Sequence, residues 1–413
     1  MPSLVHFLHA ASQDRKDLAL EDFSERQIRW VIEAGLGPLL LRHVADGPRT
    51  RTAPTWPLLK GADLTARLTT AERLDAMEEI LRACDGRIRP PTLLKGISVG
   101  GQFYPEPHLR PMSDIDFLVA TRDLAPVEAA LFDLGYRQES THPREFYETH
   151  HHTTPFRHPR TGVWVEVHRG LCARSSPVGS DAPFGAQRVL AEQSASEFRG
   201  HAVYRLSEEL QIVYLAAHWA YDFRLAGGLV AMLDTIHLLK NARPIRWERL
   251  LELLEGTVAA TAVYLVLAYL DRHELLDLPS GLIGEIAHRQ RALGRPSLWL
   301  LHGIIDRYVT NGRDLGLLMS ERNLPIIWES LLRPCPGFRK PLLAGWKLLP
   351  SRSWLMRSVP SPAPRSSAPD AARRGSESSA SGGRDDDGDS SARADRTVPN
   401  RSGRRLRQQA DSK

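Results

Sequence analysis

The 413-residue sequence is poor in cysteine, and its three cysteines, Cys84, Cys172 and Cys335, lie far apart. None belongs to a CxxC pair, so the sequence offers neither a disulfide framework nor a cysteine-based structural zinc site. A reducing cytoplasm is therefore the expected compartment. The N-terminus agrees, because it lacks the basic segment and the continuous apolar run of a secretory signal.

Long hydrophobic runs are also missing. The most apolar stretch is 258–270, and its 13 residues are too few to cross a bilayer. We expect a buried helix there and no membrane span. The hydrophobic fraction of 42% still allows packed cores, and the length leaves room for two or three domains.

Most of the chain has no excess of either positive or negative charge. Residues 351–413 hold 13 basic and 8 acidic side chains, which accounts for the whole net charge of +5. The first 350 residues hold 41 of each, so their charge argues against nucleic acid as a partner. The last segment is dominated by serine, arginine, aspartate, glycine and proline, which predicts a disordered tail. An alternative is that its arginines contact nucleic acid or anionic lipid.

Residues 110–119, RPMSDIDFLV, contain two aspartates within an apolar run that predicts a strand. Aspartate is depleted in strands, and strand alternation puts Asp114 and Asp116 on one face. Neighbouring buried anions are costly without a positive partner, so we expect a cation between them. Carboxylate oxygens suit Mg²⁺, which commonly binds one or two carboxylates together with substrate phosphates. The pattern indicates metal-assisted phosphoryl or nucleotidyl chemistry.

Two further segments fit that chemistry. Upstream, LLKGIS contains Lys95 as a cation and Gly96, where the backbone can approach a phosphate closely. Downstream, VWVEVHRGL places Glu166 and His168 on one strand face. Glu166 offers a third carboxylate, and three acids can hold two metals about 3.5–4 Å apart beside a triphosphate.

Hydrophobic spacing predicts helices before and after a segment of short strands. Helical spacing covers 24–45 and 65–84, and alternation over 150–157 and 163–169 predicts a hairpin. After Ser207, a candidate N-cap, the pattern is helical again, with helices over 229–240, 247–254 and 257–270. We predict an α+β fold with a small mixed sheet, flanking helical regions and a disordered tail. The predicted regions are 1–90 (helical), 91–200 (core with the sheet), 201–350 (helical) and 351–413 (tail).

The combination of LLKG, RPMSDIDFLV, LFDLGY and VWVEVHRGL resembles the bacterial uncharacterised nucleotidyltransferases of the DNA polymerase β-type superfamily. The similarity covers roughly residues 25–260. It implies a D-h-D strand followed by a third acid on a later strand, and a glycine at a helix start. The usual Gly-Ser pair is Gly96-Ile97-Ser98 in this sequence, so the serine is displaced by one residue. The predicted site comprises the catalytic and metal-binding Asp114, Asp116 and Glu166, and the nucleotide-binding Lys95, Gly96, Ser98 and Arg110.

Structural alternatives exist for the charged members of this site. Lys95 either contacts phosphate or forms a salt bridge to one of the aspartates. Arg110 either binds the nucleotide or neutralises the same aspartates. Glu166 is either the third metal ligand or a surface carboxylate paired with Arg169 or Arg110.

Several histidines remain to be placed. The run 150–152 suggests zinc, but alternation along a hairpin would turn His151 away from its two neighbours, so we favour a sheet-surface cluster. His168 either orients Glu166 or is a structural histidine. His218 and Asp234 either face the nucleotide cleft or hydrogen-bond between helices.

The predicted function is transfer of a nucleoside monophosphate from an NTP, with ATP favoured, to an acceptor hydroxyl. The acceptor is a small molecule, peptide, saccharide or protein, and the cofactor is Mg²⁺ or Mn²⁺. The alternative is a nucleotide-binding regulatory module without turnover. The sequence carries no general code for the acceptor, and it leaves the oligomeric state open.

Overall fold

A computed structural model describes residues 3–140, 142–222, 228–290 and 293–311, together with 327–328 and 331–332. Within these residues it has fifteen α-helices and a seven-stranded mixed sheet, which confirms the predicted fold class. The helices are α1 Ser3–Gln13, α2 Glu25–Glu33, α3 Gly37–His43, α4 Pro48–Thr52, α5 Trp56–Cys84, α6 Lys95–Phe103, α7 Leu124–Asp133, α8 Arg144–Thr149, α9 Ala186–Ala191, α10 Glu208–Ala217, α11 Gly228–Asn241, α12 Trp247–Leu254, α13 Ala259–Arg272, α14 Leu282–Arg289 and α15 Arg295–Asn311. The strands are β1 Thr92–Leu93, β2 Ile115–Leu118, β3 Arg137–Gln138, β4 Phe156–Arg157, β5 Trp164–His168, β6 Gln193–Phe198 and β7 His201–Leu206.

The predicted helix over 24–45 is two helices, α2 and α3, separated by Gly35. Ser24 caps α2, because its side chain accepts from the Gln27 N–H while the Gln27 side chain reaches back to the Ser24 N–H. Gly35 has φ +76°, and a Cβ there would lie 2.5 Å from the Pro111 Cβ. Glycine is therefore required at this turn, both for its backbone conformation and for the close approach of the chain that leads into β2.

The strands lie in the order β3-β4-β5-β2-β1-β7-β6. β2 pairs parallel with β5 and antiparallel with β1, and β1 pairs parallel with β7. Alternation puts Ile115, Phe117 and Val165 into one core, where side chains of α5 and α7 join them. The opposite face of β2 and β5 carries the polar residues and is turned towards the helices of the C-terminal half.

The predicted hairpin is present in a shorter form. β4 covers only two residues beside β5, and the chain before it makes one isolated bridge, His152 with His168. The predicted strand is therefore wrong over most of 150–155. Pro155 has no N–H for the ladder, and α8 ends at Thr149. His150 and His151 therefore lie in a bend, and His152 forms a single bridge rather than part of a strand.

The C-terminal helices follow the predicted pattern. The Ser207 side chain accepts from the Leu210 N–H and caps α10, as expected. α13 is almost entirely buried, which confirms the expected buried helix. Every helix among the described residues is too short or too polar to cross a bilayer. The predicted tail at 351–413 lies outside the described residues, and the region boundaries stay predictions.

Candidate active site

Asp116 lies at the centre of the polar sheet face. It is 1% exposed and sits in register with Glu166, its partner on the neighbouring parallel strand. Strand pairing therefore brings together two carboxylates that are 50 positions apart in the sequence. The Glu166 side chain is 22% exposed, so it faces an opening while Asp116 is enclosed.

Lys95 opens α6 in a strained backbone conformation. Its φ of +41° lies in the left-handed region that side chains other than glycine rarely adopt. The N–H of Leu94 donates to the Asp116 carbonyl at 3.0 Å and ties this turn to β2. Lys95 Nζ then lies 2.9 Å from Asp116 Oδ1, so the alternative of a salt bridge is confirmed. Burial opposes the charge on Lys95, yet the Asp116 carboxylate raises the pKa of this ammonium above its usual value.

His168 connects the two strand carboxylates. Its Nε2 lies 2.9 Å from Asp116 Oδ1 and 3.6 Å from Glu166 Oε2. Burial disfavours the imidazolium, but the hydrogen bonds to both carboxylates raise the pKa of His168. Ligand atoms of Asp116, Glu166 and His168 all lie within 4.8 Å of one another, so these three residues could hold a metal ion.

Asp114 lies just before β2, beside this group. Its carboxylate accepts a hydrogen bond from Ser113 Oγ at 2.9 Å. Burial, followed by the charges of Asp116 and Glu166, raises the pKa of Asp114 to about 6. A divalent cation would be stabilised beside this carboxyl group, because negative charges surround it.

Gly96 and Ser98 lie on the same helix in different surroundings. A Cβ on Gly96 would be 2.7 Å from Arg110 Nη1 and 2.8 Å from Met112 Cγ, so glycine leaves room for these side chains. Ser98 is fully buried and hydrogen-bonds Gln102 at 2.8 Å. That placement gives no support to the predicted contact between Ser98 and a nucleotide.

Arg110 pairs with neither of the two aspartates. Its Nε and Nη2 donate to the two carboxylate oxygens of Asp234 at 3.2 and 2.9 Å, and Tyr104 Oη donates to the same carboxylate at 2.8 Å. The alternative that Arg110 neutralises Asp114 and Asp116 is therefore not what the geometry shows. Arg110 instead fastens the segment that leads to Asp114 onto α11.

A cavity of about 490 Å³ opens beside these groups. Its wall combines residues of α2, α11 and α15 with Asp114 and Asp116, whereas Glu166 is not among the lining residues. Trp30 and Tyr308 meet edge to face in this wall, with ring centroids 5.9 Å apart. No pattern in the sequence indicates this aromatic pair. Residues lining the cavity include Trp30, Glu33, Lys95, Arg110, Asp114, Asp116, His218, Trp219, Asp234 and Tyr308.

A family model described as uncharacterised nucleotidyltransferase matches residues 24–273, more than half of the chain. The chain belongs to this nucleotidyltransferase family. The match includes the whole sheet and the carboxylates, whereas Tyr308 lies beyond it. No curated protein and no solved structure matches the chain significantly.

Membership gives nucleotidyl transfer as the general activity and implies a nucleotide substrate. Nucleotidyltransferases generally use an NTP with a divalent metal, and the acidic group around Asp116 is a possible place for one. Of the alternatives considered, the pairing of Glu166 with Arg169 is wrong, since Arg169 donates to the carbonyls of Tyr147 and Glu148. His218 and Asp234 both line the cavity, and the Asp234 carboxylate also accepts the hydrogen bonds from Arg110 and Tyr104, so both alternatives hold in part for Asp234.

Proposed function

We propose that the protein is a metal-dependent, polymerase β-type nucleotidyltransferase that moves a nucleoside monophosphate from an NTP to an acceptor hydroxyl. One observation carries the proposal: Asp116 and Glu166 lie in register on parallel strands, and Asp116, Lys95 and Asp114 line a cavity. Paired carboxylates next to a cation and an open volume are what phosphoryl chemistry requires.

The donor set fits Mg²⁺ or Mn²⁺. Asp114 and Asp116 offer hard oxygen ligands, and Glu166 offers a third oxygen. Burial and the neighbouring Asp116 carboxylate raise the pKa of Asp114, and a bound cation would stabilise its ionised form. When bound, the metal would supply charge neutralisation at the triphosphate and at the departing pyrophosphate.

The chain's own residues position the reactants. Lys95 supplies a fixed positive charge at the phosphates, and the apolar wall with Trp30 and Tyr308 receives the base. The acceptor oxygen forms a bond to the α-phosphorus, the bond to the β-phosphate oxygen breaks, and pyrophosphate leaves. Glu166, the more exposed carboxylate, takes the acceptor proton.

The acceptor belongs to one of four classes that the proposal leaves open: a small molecule, a peptide, a saccharide or a protein. ATP is the proposed donor and the cytoplasm the proposed compartment. A nucleotide-binding module without turnover is the second candidate. It is favoured by one observation, the burial of Ser98 away from the cavity wall.

Turnover can be tested with NTPs labelled at the α-phosphate. Each of the four is incubated with cell lysate, Mg²⁺ and either the wild-type protein or Asp116→Asn. We expect one NTP to yield a labelled product and pyrophosphate only with the wild type. Nucleotide binding without any labelled product or pyrophosphate would favour the regulatory module instead.

A further inference from the structure

Three consecutive histidines lie next to the acidic site without belonging to it. Ligand nitrogens of His150, His151 and His152 all lie within 4.8 Å of one another. The expectation that alternation would keep them apart is wrong, because His150 and His151 lie in a bend after α8 and only His152 pairs with the sheet. The ring centroids of His150 and His151 are 4.1 Å apart, and those of His150 and His152 are 4.3 Å apart.

Two nitrogens of this cluster have unmet bonding capacity. The Nδ1 atoms of His150 and His151 are buried and have no hydrogen-bond partner among the described residues. A buried polar atom without a partner is unfavourable, so two of them in one cluster point to a ligand that binds there.

His152 is held in an orientation typical of a metal ligand. Its Nδ1 lies 2.7 Å from the Thr153 carbonyl oxygen, which can only accept, so Nδ1 carries the hydrogen. The lone pair is therefore on Nε2. A backbone carbonyl that fixes the tautomer in this way is the usual outer partner of a ligating histidine.

We propose that His150, His151 and His152 form a transition-metal site, best suited to Zn²⁺, that is separate from the acidic nucleotide site. Three neutral imidazoles suit Zn²⁺ well, whereas Mg²⁺ prefers oxygen ligands. The fourth tetrahedral position is open to water, since His150 and His151 are only half-buried. The two sites differ in their ligand atoms, because the acidic group offers mostly carboxylate oxygens and the histidine cluster offers nitrogens.

The location of this site implies a structural role, in which a bound metal holds two parts of the fold together. His152 bridges to His168 in the sheet, and His152 Nε2 lies 3.8 Å from Glu166 Oε2. A metal held by the three histidines would fix the bend after α8 against β5, the strand that carries Glu166 and His168. The bound ion thus stabilises the wall of the acidic site without joining its chemistry.

Zinc binding can be measured on the full chain, independently of any activity. Metal-free protein in excess Mg²⁺ competes with a chromophoric chelator for added Zn²⁺. We expect one Zn²⁺ per chain, bound about 100-fold or more weakly by His150→Gln and His151→Gln, because even outer partners contribute about 10–100-fold. His201→Gln, on the far strand β7, and Asp116→Asn are the controls and should bind Zn²⁺ as the wild type does.

Protection from chemical modification provides a readout that needs no variant. Histidines of the wild type are carbethoxylated with and without Zn²⁺ and identified by mass spectrometry. Zn²⁺ should protect His150 and His151 and leave the exposed His142 reactive. The proposal is overturned if the wild type takes up no Zn²⁺, if Asp116→Asn loses it while His151→Gln keeps it, or if no protection is seen.

Discussion

At the scale of single residues, Asp116 decides the electrostatics of the site. Burial opposes its charge, yet the Lys95 ammonium and the His168 hydrogen bond lower the pKa of this carboxyl. Asp114 has the opposite character, because burial and then the Asp116 charge raise its pKa, and Lys95 offsets this only in part. Two aspartates two positions apart therefore have different roles, one already paired with cationic partners and the other short of positive charge.

Replacement of Asp116 should affect stability and activity together. Asp116→Asn leaves Lys95 buried without its carboxylate, which costs about 3 kcal/mol of unfolding free energy. Nucleotidyl transfer should fall by about 100-fold or more, since the proposed metal ligand is lost. Denaturant titration and pyrophosphate release measure the two effects. The control Asp133→Asn, at an exposed carboxylate 75% accessible, should change neither.

The raised pKa of Asp114 predicts that metal binding depends on pH. Mg²⁺ requires the carboxylate, so its affinity should be constant above about pH 6 and fall about tenfold per pH unit below it. Without metal, the stability of the fold depends on pH in the opposite direction. In the unfolded chain Asp114 ionises near pH 3.8, so the fold loses stability as the pH rises from there to about 6. Calorimetric Mg²⁺ titrations at several pH values test the first effect. A flat profile, or the same step in Asp114→Asn, would contradict the assignment.

At the scale of elements, the site depends on how α6 meets the segment before β2. Arg110 lies against Gly96 on one side and holds Asp234 of α11 on the other. The guanidinium therefore joins three pieces of chain, and the Arg110 side chain is only 11% exposed. Because its hydrogen bonds to Asp234 hold it in place, a side chain added at Gly96 has to displace Arg110 as well as Met112.

A pair of alanine substitutions on α6 tests this packing. Gly96→Ala should destabilise the fold by about 1–3 kcal/mol, because Arg110 and Met112 must move. Gly101→Ala on the same helix meets nothing within 4 Å and should gain up to about 1 kcal/mol from helix propensity. Thermal or denaturant unfolding measures both. Equal effects of the two substitutions would mean that Gly96 is not a packing glycine.

At the scale of the whole molecule, the cavity joins parts of the chain that are distant in sequence. Trp30 comes from α2, Asp116 from the sheet, Asp234 from α11 and Tyr308 from α15. A ligand in this cavity would therefore bridge the N-terminal helices, the sheet and the C-terminal helices. Ligand binding and global stability are consequently linked.

Nucleotide should raise the stability of the entire fold. With Mg²⁺ present and ATP at 100 times its dissociation constant, the gain is about 2.7 kcal/mol. Thermal unfolding should show a single transition that moves upwards with ATP concentration. The shift should disappear in EDTA and in Asp116→Asn, and a shift that persists in both would place the nucleotide elsewhere.

The sequence alone determined the local elements and the presence of an acidic strand. The D-x-D pattern, the capping Ser207 and the apolar spacing act over a few residues, so propensity and periodicity were enough to locate β2, α10 and α13. The hairpin was predicted too long because Pro155 interrupts its ladder. The break at Gly35 depends on Pro111, a contact between residues far apart in the chain.

Only the tertiary structure decided which side chains meet. The pairing of β2 with β5 places Glu166 beside Asp116, and helix packing lets Arg110 form its salt bridge with Asp234. The three consecutive histidines lie close together although strand alternation would have separated them. The aromatic wall of Trp30 and Tyr308 carries no pattern in the sequence at all. The physical reason is that these contacts arise from the packing of whole elements, whose arrangement is fixed by the summed burial of many residues rather than by any neighbouring few.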